Sequence, residues 1–272
     1  MKRLAPVRIK RIVLVTVMLA LFGLASSMVL SPGIVAAQGG KPYHFGFKKS
    51  KNGALPSINE EGFKQILQKH DAIFLGNPEK KELFLTFDNG YENGFTGRIL
   101  DTLRDKKVPA IFFVTGPYAK EQPELMKRMV NEGHLIGNHS WSHPDMSRLD
   151  QAAIRTELDK VKEEVANVTG QLDMRYMRTP QGVFSEKTLA FSREQGYTNV
   201  FWSIAYRDWE TKQQKGSQYA YQQVMSQLHP GAVILLHSVS KDNTEALGQI
   251  IDDARKQGYE FKSLDQMESR HY

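Results

Sequence analysis

The sequence predicts an α/β fold, a mainly parallel sheet of about seven strand–helix units forming a barrel or an open sheet. Two observations predict it. The 272 residues are 40% hydrophobic and 24% charged, globular composition that excludes wholesale disorder, collagen-like repeats and a polytopic membrane protein. From Glu82 onward, short apolar runs alternate with amphipathic stretches, the pattern of strands joined by crossover helices.

The elements follow in order. Leu83–Phe87 reads as a buried strand, and Ile99, Leu100 and Leu103 give a helix face that stops at Lys106-Lys107. Ala110–Val114 is the next strand, Glu124–Glu132 the next helix, and Leu135-Ile136 a third strand. Ile154, Leu158, Val161, Val165 and Val168 recur at three- and four-residue steps, the stripe of a long helix stopped by Gly170. Strands recur near Met174–Met177, Thr198–Trp202 and Ala232–Leu236, and helices near Ser185–Gln195, Tyr219–Leu228 and Asn243–Gln257.

Ahead of this pattern, Lys2, Arg3, Arg8, Lys10 and Arg11 precede the uncharged run Ile12–Leu30, and small residues follow at Val35-Ala36-Ala37. That is the grammar of a secretory signal, with cleavage expected after Ala37 and an uncleaved membrane anchor as the alternative. Either way the remainder is exported across the cytoplasmic membrane, to a cell-wall environment. Residues 38–80, with a helical stretch near Glu60–His70, read as an extension packed on the main domain of residues 81–272. Those five cations account for most of the net charge of +6. The nearly neutral remainder offers no basic face for nucleic acid. With no cysteine, there is no disulfide, thiolate zinc site or cysteine nucleophile, so a metal site would use His, Asp, Glu or Asn.

In such folds chemistry gathers at the carboxyl ends of the strands, and five polar clusters lie there. They are Asp88-Asn89-Gly90, His139 to His143, Arg178 to Gly182, Tyr206 to Trp209, and His237. On one helical turn, the spacing of His139 and His143 puts both imidazoles on one face, able to grip one divalent ion, zinc or another first-row metal; otherwise they are two histidines of a surface loop. Asp88 is either a turn-former before Gly90 or a base beside the metal, and Arg178 could pair with it. His237 could protonate a leaving group, with Asp208 orienting it. His134 and His229 read as structural. Trp141, Trp202 and Trp209 could stack on sugars, although Trp202 lies in a strand-like run and reads as core.

Together these residues resemble the five ordered motifs of the polysaccharide deacetylase family, carbohydrate esterases with a NodB homology domain. The similarity runs from about Glu82 to Phe261. Thr86–Gly90, His139–His143, Arg178–Gly182, Asp208-Trp209 and Leu235–His237 carry it. The resemblance implies a distorted (β/α) barrel, one divalent metal ion held by His139 and His143, Asp88 as general base positioned by Arg178, and His237 as general acid tuned by Asp208. It also implies an oxyanion donor at the backbone N–H of Gln181 and a pocket wall at Trp209, beside the Tyr206 and Trp141 expected at the substrate.

One departure stands out. The family has a second, metal-ligating aspartate in its first motif, where this chain has Asn89. A neutral amide oxygen there implies weaker metal affinity and a more electrophilic ion, or a protein that merely grips glycan. The run TFDNGYENG, Tyr43–Gly46 and Leu235–Ser240 resemble the peptidoglycan N-acetylmuramic acid deacetylases, which carry this Asn. That subgroup prepares muramic acid for closure to the δ-lactam of spore cortex, on strands that an amidase has stripped of stem peptide. The sequence expectation is such a deacetylase, acting as a monomer in the cell wall or forespore intermembrane space. The rivals are a general peptidoglycan or chitooligosaccharide deacetylase and a non-catalytic wall-binding protein. A glycosidase is a weaker alternative, because Asp88 and Asp208 have other duties.

Overall fold

The central strand of the molecule, β2 (Glu82–Asn89), is buried from Leu83 to Asn89, because it is covered on both faces. The computed structural model describes residues 40–51 and 54–272; the expected export signal lies outside the described residues. After β1 (Tyr43–His44), α1 (Phe63–Lys69) and β2 come α2 (Thr96–Lys106), β3 (Ala110–Val114), α3 (Gly116–Glu121), α4 (Pro123–Asn131) and β4 (Leu135–Asn138). Next are α5 (Gln151–Thr169), β5 (Tyr176–Met177), β6 (Val183–Phe184), α6 (Glu186–Glu194) and β7 (Thr198–Asn199). The chain ends through α7 (Ser217–Met225), β8 (Ala232–His237), α8 (Lys241–Lys256) and β9 (Glu260–Phe261).

The strands form a seven-stranded sheet in the order β7-β5-β4-β3-β2-β8, with β9 paired to the start of β2, and every pairing is parallel. Crossover helices surround it, as parallel pairing requires. The sheet curls. Beyond β7 the chain runs to Ile204, which bridges to Ile234 of β8, and the Leu235 N–H donates to the Ile204 carbonyl at 2.9 Å. The two edges of the sheet thus approach each other, and the half-barrel is the distorted barrel that the motifs imply.

The helix ends are locally encoded. The Asp150 side chain accepts from the Ala153 N–H at 2.8 Å to start α5, and Gly170 ends it at φ 78°. Ser185 and Ser240 cap α6 and α8 in the same way. Residues 40–80 pack through Ile58, Phe63, Leu67 and Phe74 onto Phe184, Leu189 and Phe201, and β1 pairs with β6. The short α3 and the two-residue strands β1, β6 and β9 escape the sequence pattern, because each is too brief to show a period.

Candidate active site

Parallel pairing puts the carboxyl ends of β2, β4, β5 and β8 at one end of the sheet, and the five polar clusters meet there. Asp88 and His237 are direct register partners in the β2–β8 pairing. Asp88 is 6% exposed and Arg178 1%, so both charges are inside the protein, and the Arg178 Nη1 donates to Asp88 Oδ1 at 2.6 Å. The other guanidinium donors reach the Val200 carbonyl and Thr86 Oγ1, and its plane lies 4.3 Å from the Phe113 ring centroid. Arg178 is therefore fixed on all sides. Burial works against the charge of Asp88, but Arg178, His139 and His237 outweigh it and hold the carboxyl below its ordinary range.

His139 and His143 do not share a helical turn, contrary to the expectation from their spacing. They flank a tight loop in which Ser140 and His143 both take positive φ, 64° and 57°. Hydrogen bonds replace the helix. The Ser140 N–H donates to Asn138 Oδ1, the His143 N–H to Ser140 Oγ, and the Ser142 N–H and hydroxyl to Glu157. The loop still brings the two rings to 4.8 Å between centroids, at 74°.

The two imidazoles fit a divalent ion. His139 Nδ1 donates to the Arg178 carbonyl at 2.9 Å, which fixes the tautomer and leaves the Nε2 lone pair facing Asp88 Oδ2 at 3.5 Å. A cation beside those two electron-rich atoms would relieve their opposition. Burial pushes the His139 pKa down to about 4 and that of His143 down as well, so both stay neutral, the state that binds metal. Asn89 does not fit as a third donor. It is fully buried, its Oδ1 accepts from Ser238 Oγ at 2.8 Å, and its Nδ2 points to Thr96 Oγ1 at 3.4 Å. Among the described residues no three His, Asp or Glu side chains form a complete ligand set.

His237 Nδ1 donates to Asp208 Oδ1 at 2.7 Å, and its backbone N–H to Asp208 Oδ2 at 2.8 Å. Burial opposes the imidazolium, but the Asp208 charge outweighs it and raises the His237 pKa. With Nδ1 committed, Nε2 is left to act in the cleft. The Trp209 ring lies 5.4 Å from that of His237 and is half exposed. Tyr206, expected at the substrate, is instead buried; its hydroxyl donates to Asn243 Oδ1 and its ring packs on Tyr219.

These groups open into a cleft of about 740 Å³, a volume suited to a sugar-sized ligand. Asp88, His139, His143 and His237 lie along it, with Trp141, Gln181 and Trp209 as expected. Gln181 takes φ 58°. Trp202 packs against the core, as its strand-like run suggests, and also lines the cleft, its ring lying on Phe45 and 5.5 Å from the Arg178 guanidinium. Tyr91, 52% exposed, is a wall residue that sequence reasoning missed; its place directly after the first motif was the available signal. His134 and His229 are buried away from the cleft lining, as structural histidines are.

Residues 75–200 match the polysaccharide deacetylase family. The chain is 47% identical over 244 residues to the peptidoglycan-N-acetylmuramic acid deacetylase PdaA of Bacillus subtilis, which covers 89% of this chain and 92% of the relative. The solved structure of that PdaA, a family 4 carbohydrate esterase, superposes with a TM-score of 0.81 at 49% identity, covering 84% of this chain and 97% of the other. A family 4 carbohydrate esterase from Bacillus anthracis matches at 49% identity and a TM-score of 0.69, covering 84% and 96%. Deacetylases of this family are in general metal-dependent. With its strand-end carboxylate, paired imidazoles and aspartate-bound histidine gathered at one cleft, the chain belongs to the polysaccharide deacetylase family, the family 4 carbohydrate esterases.

Proposed function

We propose that this protein is an exported N-deacetylase of N-acetylmuramic acid in peptidoglycan. It acts as a single chain, in the cell wall or forespore intermembrane space, on glycan strands from which an amidase has already removed the stem peptides. The freed muramic amine lies beside a lactyl carboxylate and can close to the δ-lactam of spore cortex, which a glucosamine amine cannot. The observation that carries this reading is the placement of Asp88 and His237 side by side, as register partners lining one cleft, in a chain 47% identical to a muramic acid deacetylase. Export is supported by the charged, then apolar, start of the sequence.

The chemistry follows from the residues. An acetamide resists hydrolysis because nitrogen donates into its carbonyl. Asp88, ionised and oriented by Arg178, takes the proton of the attacking water. The Gln181 backbone N–H is the donor assigned to the oxyanion, a contact worth roughly 10²–10³ in rate. His237, protonated and held by Asp208, gives its Nε2 proton to the departing amine. A divalent ion, zinc in this reading, would be held by His139 and His143, and when bound it supplies carbonyl polarisation and a lower water pKa. The products are a free amino sugar and acetate.

The test is mass spectrometry of defined peptide-free glycan incubated with the enzyme, with loss of acetyl expected on muramic residues. Loss confined to glucosamine would replace the muramic reading, and no loss at all would leave a glycan-binding protein.

A further inference from the structure

We propose that Asn243 is a positioning residue for His237, acting through Asp208 and itself held by the Tyr206 hydroxyl. The proposal rests on the reading of His237 as proton donor to the leaving amine.

Asn243 stands in the first turn of α8, and Asp208 in the loop beyond β7. The Asn243 Nδ2 donates to Asp208 Oδ2 at 2.5 Å and lies 3.4 Å from the His237 carbonyl. Its Oδ1 accepts from the Tyr206 hydroxyl. The amide orientation is fixed by chemistry: an ionised carboxylate only accepts, so Nδ2 must face it, and the phenol supplies the donor for Oδ1. Burial pushes the Tyr206 pKa far up, so that phenol remains a neutral donor.

Asp208 thus takes three donors, the His237 ring, the His237 backbone and Asn243. The first two belong to the residue being positioned. Asn243 and Tyr206 supply the anchor from outside, and both are buried. Without them Asp208 would be tied only to the His237 backbone and to the ring it must orient. Because the pair lies behind His237 and outside the cleft lining, it reaches substrate only through Asp208 and His237. Replacing Asn243 by alanine keeps its backbone N–H bond to Ser240 Oγ and favours the helix.

The experiment is steady-state acetate release from peptide-free glycan by the full chain. Asn243→Ala should lower kcat about tenfold, a fraction of what a general acid contributes, with KM within about twofold. Tyr206→Phe should lower kcat about threefold. The double variant should be no slower than Asn243→Ala alone, because Tyr206 acts through Asn243. Unchanged kcat in folded Asn243→Ala, or multiplying losses in the double variant, would overturn the proposal. If Asn243→Ala does not fold, Tyr206→Phe decides by itself: reduced kcat at constant KM supports the anchor, and unchanged kcat overturns it. His237→Ala separates the two levels, since full turnover in that variant would instead sink the proton-donor reading.

Discussion

Asp88 and His237 are register partners on adjacent parallel strands. That pairing sets the proposed base and the proposed acid at one end of the sheet, with Arg178 behind the first and Asp208 behind the second. Each is an oppositely charged pair, but the two pairs are tuned in opposite directions: Asp88 is held ionised and His237 protonated. A hydrolysis that begins by taking a proton and ends by giving one needs that split.

Asp88→Asn should lower deacetylation by about 10²–10⁴, the usual contribution of a general base. It also leaves the Arg178 guanidinium buried without its counter-charge, and breaking such a pair costs about 3–5 kcal/mol. Acetate release and urea unfolding of the variant check both effects.

Asp208→Asn should move the alkaline limb of the kcat/KM profile to lower pH. The Asp208 charge raises the His237 pKa above 6.5 against burial, so removing it deprotonates the acid earlier. A limb that stays in place would count against His237 as the group that titrates there.

Stability in metal-free buffer should fall on acidification from pH 6.5 to 4. His139 has its pKa lowered from 6.5 to about 4 by burial. Between those values the unfolded chain binds a proton that the folded one refuses, which costs at most about 1.4 kcal/mol per pH unit. Asp88 adds a later loss, as pH falls below the ordinary carboxylate range toward its depressed value. Denaturation curves at pH 7, 5.5 and 4.5 measure the slope, which His139→Asn should flatten in its upper part.

Gly116→Ala should raise KM and perturb tryptophan fluorescence. A Cβ at Gly116 would lie 2.2 Å from the Trp141 indole, so the ring must leave its seat on the cleft wall. The overpacking cost is about 1–3 kcal/mol. An unchanged KM would mean that Trp141 does not touch substrate.

Chelation by EDTA should reduce turnover, and zinc should restore it. His143→Ala should weaken metal binding about tenfold or more, since in the proposed site only two imidazoles would hold the ion and even outer partners of a ligand matter on that scale. Elemental analysis after dialysis, with full activity in a metal-free sample, would remove the ion from the scheme.

Much of this protein is written locally. The apolar runs Leu83–Phe87 and Ala110–Val114 appear as buried strands, and Ile154, Leu158, Val161 and Val165 as the buried stripe of α5, because burial selects residues by period along the chain. The strand-end position of Asp88, Arg178 and His237 was legible for the same reason. Apart from the Asp88–Arg178 and Asp208–His237 pairs, what a residue touches across the fold was not. Asn89 has the chemistry of a weak metal donor, yet Ser238 and Thr96 take up its amide. Tyr206 has the chemistry of a sugar contact, yet it turns inward to Asn243. The spacing of His139 and His143 suggested a helical turn, but hydrogen bonds to Asn138 and Glu157 hold a loop with two positive φ angles. Periodicity depends on neighbours a few residues away and so survives in a linear string, whereas side-chain hydrogen bonds join partners that only the curl of the sheet brings within reach.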